Sequence, residues 1–589
     1  MCRIERGGCF AFFVLLSFAA GCGGGSMSSS SSPSGSLTLS LASNAPQVFQ
    51  GQASATVNAT LLRSGTTGNV TLSVTGLPAG ATDQIQSPGN GNSGSVAFGA
   101  GTATAGTYPV TVTASDGTNS STAKLTLNIG ASAQIMTGTT GKFNIAMSTS
   151  FQPAEWDYQF FTNNINVPAT TTLGNLLPQH IRLQGISQGV PQTSATTWDF
   201  SILDAITQPV LGVGDHSPEF QIAVAPAFMY DSQHNFLDPT YQTFAAYTQN
   251  LVRYYDTGGF TATDGFHVSP SPNPVTWWGI YNEPNFNNLD STQYTQLYNA
   301  VVPAMQAVDP SLKFAAVELG DYSGLAQTYL PAFVSGVTAH VDVLATHFYS
   351  SCNQSDSDEM VFSTVPGFVS EVQSIQAQLQ TNPNLASVPV WVTENNVNAD
   401  FDKGGGISAC NGTPFVTDLR GSSAFFAAWR PYVFSQLGKA GVQALYHWDF
   451  DADAQFGEVD YNTDSLQLSY WVDYWLARMF PFPPGANILQ STNTDAGEIE
   501  VLSVQNPDGS VVIMLSNHAL SASTDNNGPG APRTIAVDVS ALGTFQSGSL
   551  LTIDANTSVT SGPSATSVTP SPQMTVAFNG YGVAFLTLK

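Results

Sequence analysis

Two glutamates stand just after apolar segments, where a carboxyl group could take part in acid–base chemistry. Glu283 follows the run Trp277–Ile280, and Glu394 follows the run Val388–Val392. If both runs are strands that end at one opening, the two carboxyl groups can face each other across a single bond. Such a pair can protonate a leaving oxygen and attack the adjoining carbon, which is the chemistry of glycosidic bond cleavage. A lone glutamate after a strand is usually a solvated loop residue, but two at matching positions favour catalysis.

Two further residues could keep one of these carboxyl groups ionised. A nucleophilic Glu394 needs hydrogen-bond donors, and Tyr349 and Arg182 are the candidates. Arg182 lies inside an apolar run of a chain that has only 15 lysines and arginines, so a buried position would require an acidic partner. A glutamate at the same opening would serve, and a structural ion pair elsewhere is the alternative. Glu283 is flanked by aromatic residues in the sequence, which favour its protonated form and suit it to the role of acid.

Three more side chains are candidates for contacting a sugar. Asn282 is a neutral donor suited to a sugar hydroxyl, and His347 is either a polar residue of the site or a hydrogen-bonded core histidine. Trp448 could provide a flat surface for a sugar ring, although packing in the core is the alternative. Neither a metal-ligand spacing nor a phosphate-binding loop is evident, so no metal and no cofactor is expected.

The elements that would position these residues alternate from residue 140 onward between short apolar runs and amphipathic segments of helical length. Successive runs start at least 29 residues apart, which leaves room for a strand, a helix and two loops. Eight such units predict a (β/α)8 barrel, in which the fourth and seventh strands lie across the mouth from each other. A doubly wound open sheet is the alternative, but its glycine-rich first turn is not seen. The eight runs are Phe143–Met147, Ile181–Leu183, Phe220–Ala225, Trp277–Ile280, Phe314–Val317, Val343–Thr346, Val388–Val392 and Val442–Tyr446.

Two β-rich regions flank this barrel, which we assign to residues 140–482. Residues 36–131 alternate between polar and apolar side chains and resemble bacterial immunoglobulin-like modules. A spacer role is expected for this module, and carbohydrate binding is the alternative. Residues 485–589 predict a second β-sandwich. The predicted fold class is therefore multidomain, with a TIM barrel between an N-terminal immunoglobulin-like sandwich and a C-terminal sandwich.

The first residues have the pattern of an export signal. Arg3 and Arg6 precede an apolar run that is too short to span a bilayer as a mature helix. The sequence Ala19-Ala20-Gly21-Cys22 resembles a bacterial lipobox, so residues 1–21 are expected to form a lipoprotein signal peptide, with Cys22 as the lipidated residue. An ordinary secretory signal is the alternative. Residues 22–35 form a Gly/Ser-rich tether. We expect an exported protein on the outer membrane or cell surface, or in the periplasm or medium.

Two cysteines, Cys352 and Cys410, remain for the mature fold. They fall in the loops after the predicted sixth and seventh strands, which emerge on the same face of a barrel. In an oxidising compartment such a pair predicts a disulfide that braces the rim of the site. Two unrelated reduced cysteines are the alternative.

Composition restricts the class of partner. The chain has 589 residues, of which 42% are hydrophobic and only 10% are charged. It has 41 acidic against 15 basic residues, a net charge of −26. Such an acidic chain repels phosphate backbones, so no nucleic-acid partner is expected. An uncharged oligo- or polysaccharide is compatible with this charge.

The motifs taken together resemble a known group of enzymes. Asn282-Glu283-Pro284 with Glu394 resembles the clan A glycoside hydrolases. Several other segments resemble glycoside hydrolase family 39, the β-xylosidase and α-iduronidase family. Gln184 stands where that family usually has histidine. The segments are His180-Ile181-Arg182-Leu183-Gln184-Gly185, Trp198-Asp199-Phe200, His347-Phe348-Tyr349 and Trp448-Asp449-Phe450.

The resemblance, which covers roughly residues 140–480, implies a retaining glycoside hydrolase with Glu283 as acid/base and Glu394 as nucleophile. It implies a neutral, β-linked, xyloside-like substrate. The scarcity of basic residues argues mildly against a uronate, although Lys403, Arg420 and Arg430 keep that option open. One alternative is a non-catalytic glycan-binding lipoprotein, or adhesin, on a decayed barrel, which would tend to lose one carboxylate. Another is a transglycosylase that uses the same pair.

Overall fold

The computed structural model describes residues 35–151, 166–184, 189–213, 217–270, 274–320, 325–461, 463, 465–481 and 485–589. Cys22, the predicted signal peptide and nearly all of the tether lie outside these residues. Within the described ranges, no helix has both the length and the apolar character needed to cross a membrane.

Eight parallel strands close into a barrel in chain order, with the eighth strand pairing with the first. This closure confirms the (β/α)8 prediction and excludes the open doubly wound sheet. The strands are β1 (Ala146–Phe151), β2 (Ile181–Leu183), β3 (Glu219–Ile222), β4 (Trp277–Ile280), β5 (Lys313–Leu319), β6 (Val343–Ser351), β7 (Val390–Asn398) and β8 (Ala444–His447).

Helices between the strands cover the outside of the barrel. Their apolar residues pack against the strands, as with Leu297 and Val301, which are fully buried in the helix that follows β4. That helix begins with a capping box between Asp290 and Gln293, which satisfies its first backbone amides. The described helices are Asn166–Asn175, Ser201–Leu211, Gln242–Asp256, Ser291–Gln306, Leu325–Thr328, Leu330–Gly336, Asp358–Ser363, Val365–Leu379, Ala424–Lys439 and Leu468–Met479, with short 3-10 turns at Ala227–Met229, Leu419–Ser422 and Ser540–Leu542.

The first barrel strand lies a few residues beyond its predicted position, because its second half is polar. Phe143 and Ile145 precede the strand, and the Phe143 ring packs against Phe434 and Phe480. The strand itself contains a buried Ser-Thr-Ser segment, in which Ser150 donates to the carbonyl of Thr393 at 2.9 Å. The apolar run therefore marked the approach to the strand rather than the strand itself.

The N-terminal module has two antiparallel sheets around a core of alternating apolar residues. One sheet contains Ser36–Leu41, Ala55–Ser64, Ser93–Gly99 and Thr82–Gln86. The other pairs Thr71–Thr75 with Gly106–Ser115, and Gly106–Ser115 with the start of the long strand Ser120–Lys142, beside which Gln47–Phe49 runs in parallel.

The C-terminal sandwich is completed by residues that precede the barrel. The 23-residue strand Ser120–Lys142 leaves the N-terminal module and pairs, over residues 131–142, with two strands of the C-terminal region. The sandwich also packs on the barrel helices, for instance through the rings of Phe480 and Phe585. Its other strands are Asn487–Asn493, Ile499–Gln505, Val511–Asn517, Arg533–Asp538, Gly548–Asp554, Thr566–Val568, Gln573–Phe578 and Gly582–Leu588.

Candidate active site

The loop after β4 and the middle of β7 bring Glu283 and Glu394 together at the mouth of the barrel. A carboxylate oxygen of each glutamate and a ring nitrogen of His347 all lie within 4.8 Å of one another. The Nδ1 atom of His347 is 3.0 Å from Glu283 Oε1 and 3.4 Å from Glu394 Oε2. The Glu283 side chain is 25% exposed and that of Glu394 only 6%, so the site opens on the side of Glu283.

Glu394 is held by the two donors that the sequence predicted. Arg182 Nη1 donates to Oε1 at 2.9 Å, and the Tyr349 hydroxyl donates to Oε2 at 2.8 Å. Burial raises the pKa of Glu394, and the positive charges of His347 and Arg182 oppose that rise. The carboxylate is therefore fixed in position by hydrogen bonds on both of its oxygens, which is the arrangement that an attacking group needs.

A third glutamate, which the sequence analysis did not select, lies beneath this pair. Glu318 is fully buried near the end of β5, and its Oε2 accepts from Thr393 at 2.6 Å, His347 Nε2 at 3.1 Å and Arg182 Nη2 at 3.3 Å. Glu318 therefore binds both of the cations that contact Glu394. The signal that could have found it was present, since an apolar run also ends at this glutamate.

A fourth carboxyl group, that of Glu219, continues the network into the barrel. Burial and the nearby charge of Glu318 raise the pKa of Glu219 to about 8, which favours its protonated form and a hydrogen bond to Glu318. Gly279 packs against both: a β-carbon there would stand 2.8 Å from Glu318 Oε1 and 3.2 Å from Glu219 Oε1. Only glycine fits at this position of β4 without displacing the pair.

The charges of Glu394 and Glu318 are balanced if His347 is protonated. Burial alone would lower the pKa of His347, but Glu394, Glu283 and Glu318 raise it to about 9. Arg182 and a cationic His347 then neutralise Glu394 and Glu318. Both ring nitrogens of His347 can donate, one to Glu283 and one to Glu318. His347 is thus part of the site rather than a core histidine.

The remaining predicted contact residues surround this network. Asn282 accepts from Arg182 Nη2 at 2.8 Å through its Oδ1. Trp448 is 7% exposed and packs with Phe456, and Tyr349 packs against the same cluster. Gln184, which stands where the resembled family has histidine, accepts from Arg182 Nη1 at 2.8 Å.

The aromatic residues that flank Glu283 in sequence do not surround its carboxyl group. Trp277 packs against His180 and Trp391, with the Lys313 ammonium 5.1 Å from its ring. Trp278 is fully buried and packs against Phe220. Both rings pack with residues of other elements instead, and the acid role of Glu283 stays a prediction. The observed neighbours of the Glu283 carboxyl group are His347 and the ring of Phe286.

The structure contains a Cys352–Cys410 disulfide with a Cα–Cα distance of 5.8 Å. This is within the usual range for a disulfide. The bond joins the loops after β6 and β7, which are the strands that carry His347 and Glu394. It therefore ties together two segments of the rim directly above the site.

Two of the cations considered for a uronate are already paired. Arg420 is buried against Asp418, and Arg430 is buried against Asp473. Lys403 lies exposed in the loop after β7. The paired arginines hold loops and strands in place and are not available to a ligand.

Among the residues that the structure describes, two groups have ligand atoms close enough to hold a metal ion. One consists of Glu283, His347 and Glu394, which is the site above. The other consists of His447, Glu458 and Asp473. In the second group, His447 contacts the Phe456 carbonyl at 2.7 Å with one ring nitrogen and Asp473 at 3.0 Å with the other. Both ring nitrogens are thus engaged within the fold, and this group carries no proposal of a metal site.

Replacing Glu318 with glutamine is expected to lower kcat/KM by about ten- to a hundredfold. This factor corresponds to the free energy of one charge-assisted hydrogen bond. It should also change the response to alkaline pH. The pKa of His347 is raised from its usual 6.5 to about 9. Its ion pairs therefore stabilise the fold fully below pH ~6.5, and this contribution to the free energy of unfolding is lost as the pH rises through about 9.

Without the Glu318 charge the pKa of His347 falls, so this loss begins at lower pH in the variant. Melting temperatures and kcat/KM between pH ~6 and ~10 measure the shift. Glu458→Gln is the matched control, because burial raises the pKa of Glu458 well above its usual value and glutamine resembles the protonated acid. If the alkaline limbs of these pH profiles coincide for wild type and the Glu318 variant, Glu318 does not raise the pKa of His347 as assigned.

The fold of this chain is similar to those of several solved enzyme structures. No protein-family model and no curated protein matches the chain. The chain is similar in structure to a GH39 enzyme from Xanthomonas axonopodis pv. citri, with 14% identity over 78% of this chain and 97% of that chain and a TM-score of 0.52. It is also similar to a monomeric β-xylosidase from Caulobacter crescentus CB15, with 16% identity over 78% of this chain and 99% of that chain and a TM-score of 0.54. A third similar structure is the catalytic domain of GH30 xylanase C from Talaromyces cellulolyticus, with 15% identity over 78% of this chain and 100% of that chain and a TM-score of 0.52. The predicted resemblance to the clan A glycoside hydrolases is confirmed at the level of the fold.

Proposed function

We propose that this chain is a retaining glycoside hydrolase. The observation that carries the proposal is the approach of Glu283 and Glu394, whose oxygens lie within 4.8 Å of each other at the barrel mouth. Carboxyl groups about 5–5.5 Å apart act by double displacement, whereas inverting enzymes keep about 6.5–9.5 Å for a water. The short separation supports retention. A decayed, purely glycan-binding barrel would not be expected to keep both groups with their donors in place.

In the first step, Glu394 attacks the anomeric carbon while the bond from that carbon to the leaving oxygen breaks. Glu283 gives its proton to that oxygen, and a covalent glycosyl-enzyme results. In the second step, Glu283 takes a proton from water, which attacks the same carbon and releases Glu394. Arg182 and Tyr349 orient the Glu394 carboxylate throughout, and His347 stabilises the negative charge that alternates between the two glutamates.

We propose a neutral, β-linked, xyloside-like substrate. The support is that two proteins of similar structure are a β-xylosidase and a xylanase. Arg420 and Arg430 are paired within the fold, which removes two of the cations that a uronate carboxylate would use. The net charge of −26 also disfavours an anionic polymer.

A panel of aryl glycosides and oligosaccharides, with product anomers followed by NMR, tests the function. The first product formed should have the same anomeric configuration as the substrate. An inverted first product would contradict double displacement. Binding of glycans without turnover would favour the adhesin, and products longer than the substrate would favour the transglycosylase.

We also propose that the protein is exported and anchored through a lipid on Cys22. The support is the lipobox-like sequence and the Gly/Ser-rich tether that follows it. Cells fed an alkyne-tagged fatty acid should label the wild-type protein and not Cys22→Ser, and the wild type should fractionate with membranes. Equal labelling of both would contradict the anchor.

A further inference from the structure

Phe286 lies three residues after the proposed acid/base and presents its ring at the mouth of the barrel. Its side chain is 61% exposed, and none of the hydrophobic clusters among the described residues includes it. Its backbone amide donates to the Glu283 carbonyl at 2.9 Å, and the Asn287 side chain closes the same turn on the Asn282 carbonyl. The turn is therefore fixed by the backbone, and the ring is not needed to hold it.

The ring stands beside the Glu283 carboxyl group. Both pack over Gly320 at the end of β5: a β-carbon on Gly320 would stand 2.5 Å from Glu283 Oε1 and 2.6 Å from Phe286 Cε2. Two groups that approach one point so closely are near neighbours. The absence of a side chain at Gly320 is what allows the carboxyl group and the ring to lie together.

This position is on the side of the leaving group. The acid protonates the leaving oxygen, so the part of the substrate that departs must pass next to Glu283. The opposite carboxyl group, that of Glu394, is only 6% exposed, whereas the Glu283 side is open to solvent. An exposed aromatic ring here faces the group attached through the bond that breaks. Aromatic rings bind the flat apolar faces of sugars and aryl groups.

We propose that Phe286 forms the first leaving-group subsite and selects substrates whose leaving group has a flat apolar face, either a pyranose ring or an aryl aglycone. This inference rests on the proposed glycosidase function and adds a specificity-determining residue to it. The residue binds the leaving group and takes no part in proton transfer.

Three xylosyl substrates with different leaving groups test this assignment: xylobiose, 4-nitrophenyl β-xyloside and β-xylosyl fluoride. Fluoride offers no ring to stack. Phe286→Ala should lower kcat/KM on the first two about tenfold, equivalent to about 1.4 kcal/mol, and leave the fluoride within about twofold of wild type. Phe286→Trp should restore the first two substrates.

Phe266→Ala is the matched control. Phe266 is 63% exposed on a hairpin that leads into β4, and therefore lies at the opposite end of the barrel. It should leave all three rates unchanged. An equal loss on the fluoride in Phe286→Ala would overturn the subsite, because the ring would then act through Glu283 or through the fold. A wild type inactive on all three substrates would instead overturn the proposed function itself.

Discussion

Replacing Glu394 with alanine is expected to abolish turnover of every glycoside, with kcat at least about 10⁴-fold below wild type. No other carboxylate in the described part of the chain is positioned to attack in its place: Glu318 lies deeper, fully buried, and already accepts three hydrogen bonds on one oxygen. Steady-state rates on the preferred substrate measure the loss. Because alanine removes one of the two acidic partners of Arg182, Glu394→Gln is measured alongside and its fold checked by circular dichroism.

Azide identifies the role of the missing group. In Glu394→Ala, azide can occupy the vacated space and attack the anomeric carbon once, so the glycosyl azide formed should have the inverted configuration. Glu359→Ala, which removes an exposed glutamate of the same barrel, should retain wild-type rates. Substantial turnover in the Glu394 variants without azide would rule out this residue as the nucleophile.

Replacing Glu283 with alanine is expected to affect substrates unequally. Glycosides with poor leaving groups should lose about 10²- to 10⁴-fold in kcat/KM, the usual contribution of a general acid. Dinitrophenyl glycosides need no proton in the first step, so their glycosylation rate should fall far less. Pre-steady-state release of dinitrophenol measures this step, and a burst followed by slow turnover is expected because the second step has lost its base.

Azide again provides the control for Glu283→Ala. It needs no deprotonation, so it should attack the glycosyl-enzyme and give a glycosyl azide of retained configuration, opposite to the product of the Glu394 variant. Equal losses for good and poor leaving groups in the glycosylation step would remove Glu283 from the acid role.

The barrel and its two mouth glutamates could be predicted because their signals are local. A buried parallel strand is an apolar run, and β2 and β4 were located to the residue for this reason. The first strand was misplaced because Ser148, Thr149 and Ser150 are buried but polar, and their hydrogen bonds are made to residues far along the chain. Periodicity carries no information on such partners.

The network below the glutamates was predicted only in part. Arg182 and Tyr349 could be named because a nucleophile requires donors. Glu318 also follows an apolar run, but that run alone does not show its role, which comes from three contacts with residues of other strands. Local turns at β5 decide its direction: Val317 and Glu318 both have positive φ angles, at 81° and 48°, which non-glycine residues rarely adopt. The sequence pattern of this strand does not predict these two backbone conformations.

The strand Ser120–Lys142 has a mechanical consequence for the whole chain. At about 3.3 Å per residue, its 23 residues span at most roughly 75 Å, with shifts of pairing register between residues 135 and 141. One end of the strand is hydrogen-bonded into the N-terminal module and the other into the C-terminal sandwich. The two domains are therefore joined by a paired strand and not by a flexible linker. The orientation of the N-terminal module therefore determines the direction in which the mouth of the barrel faces.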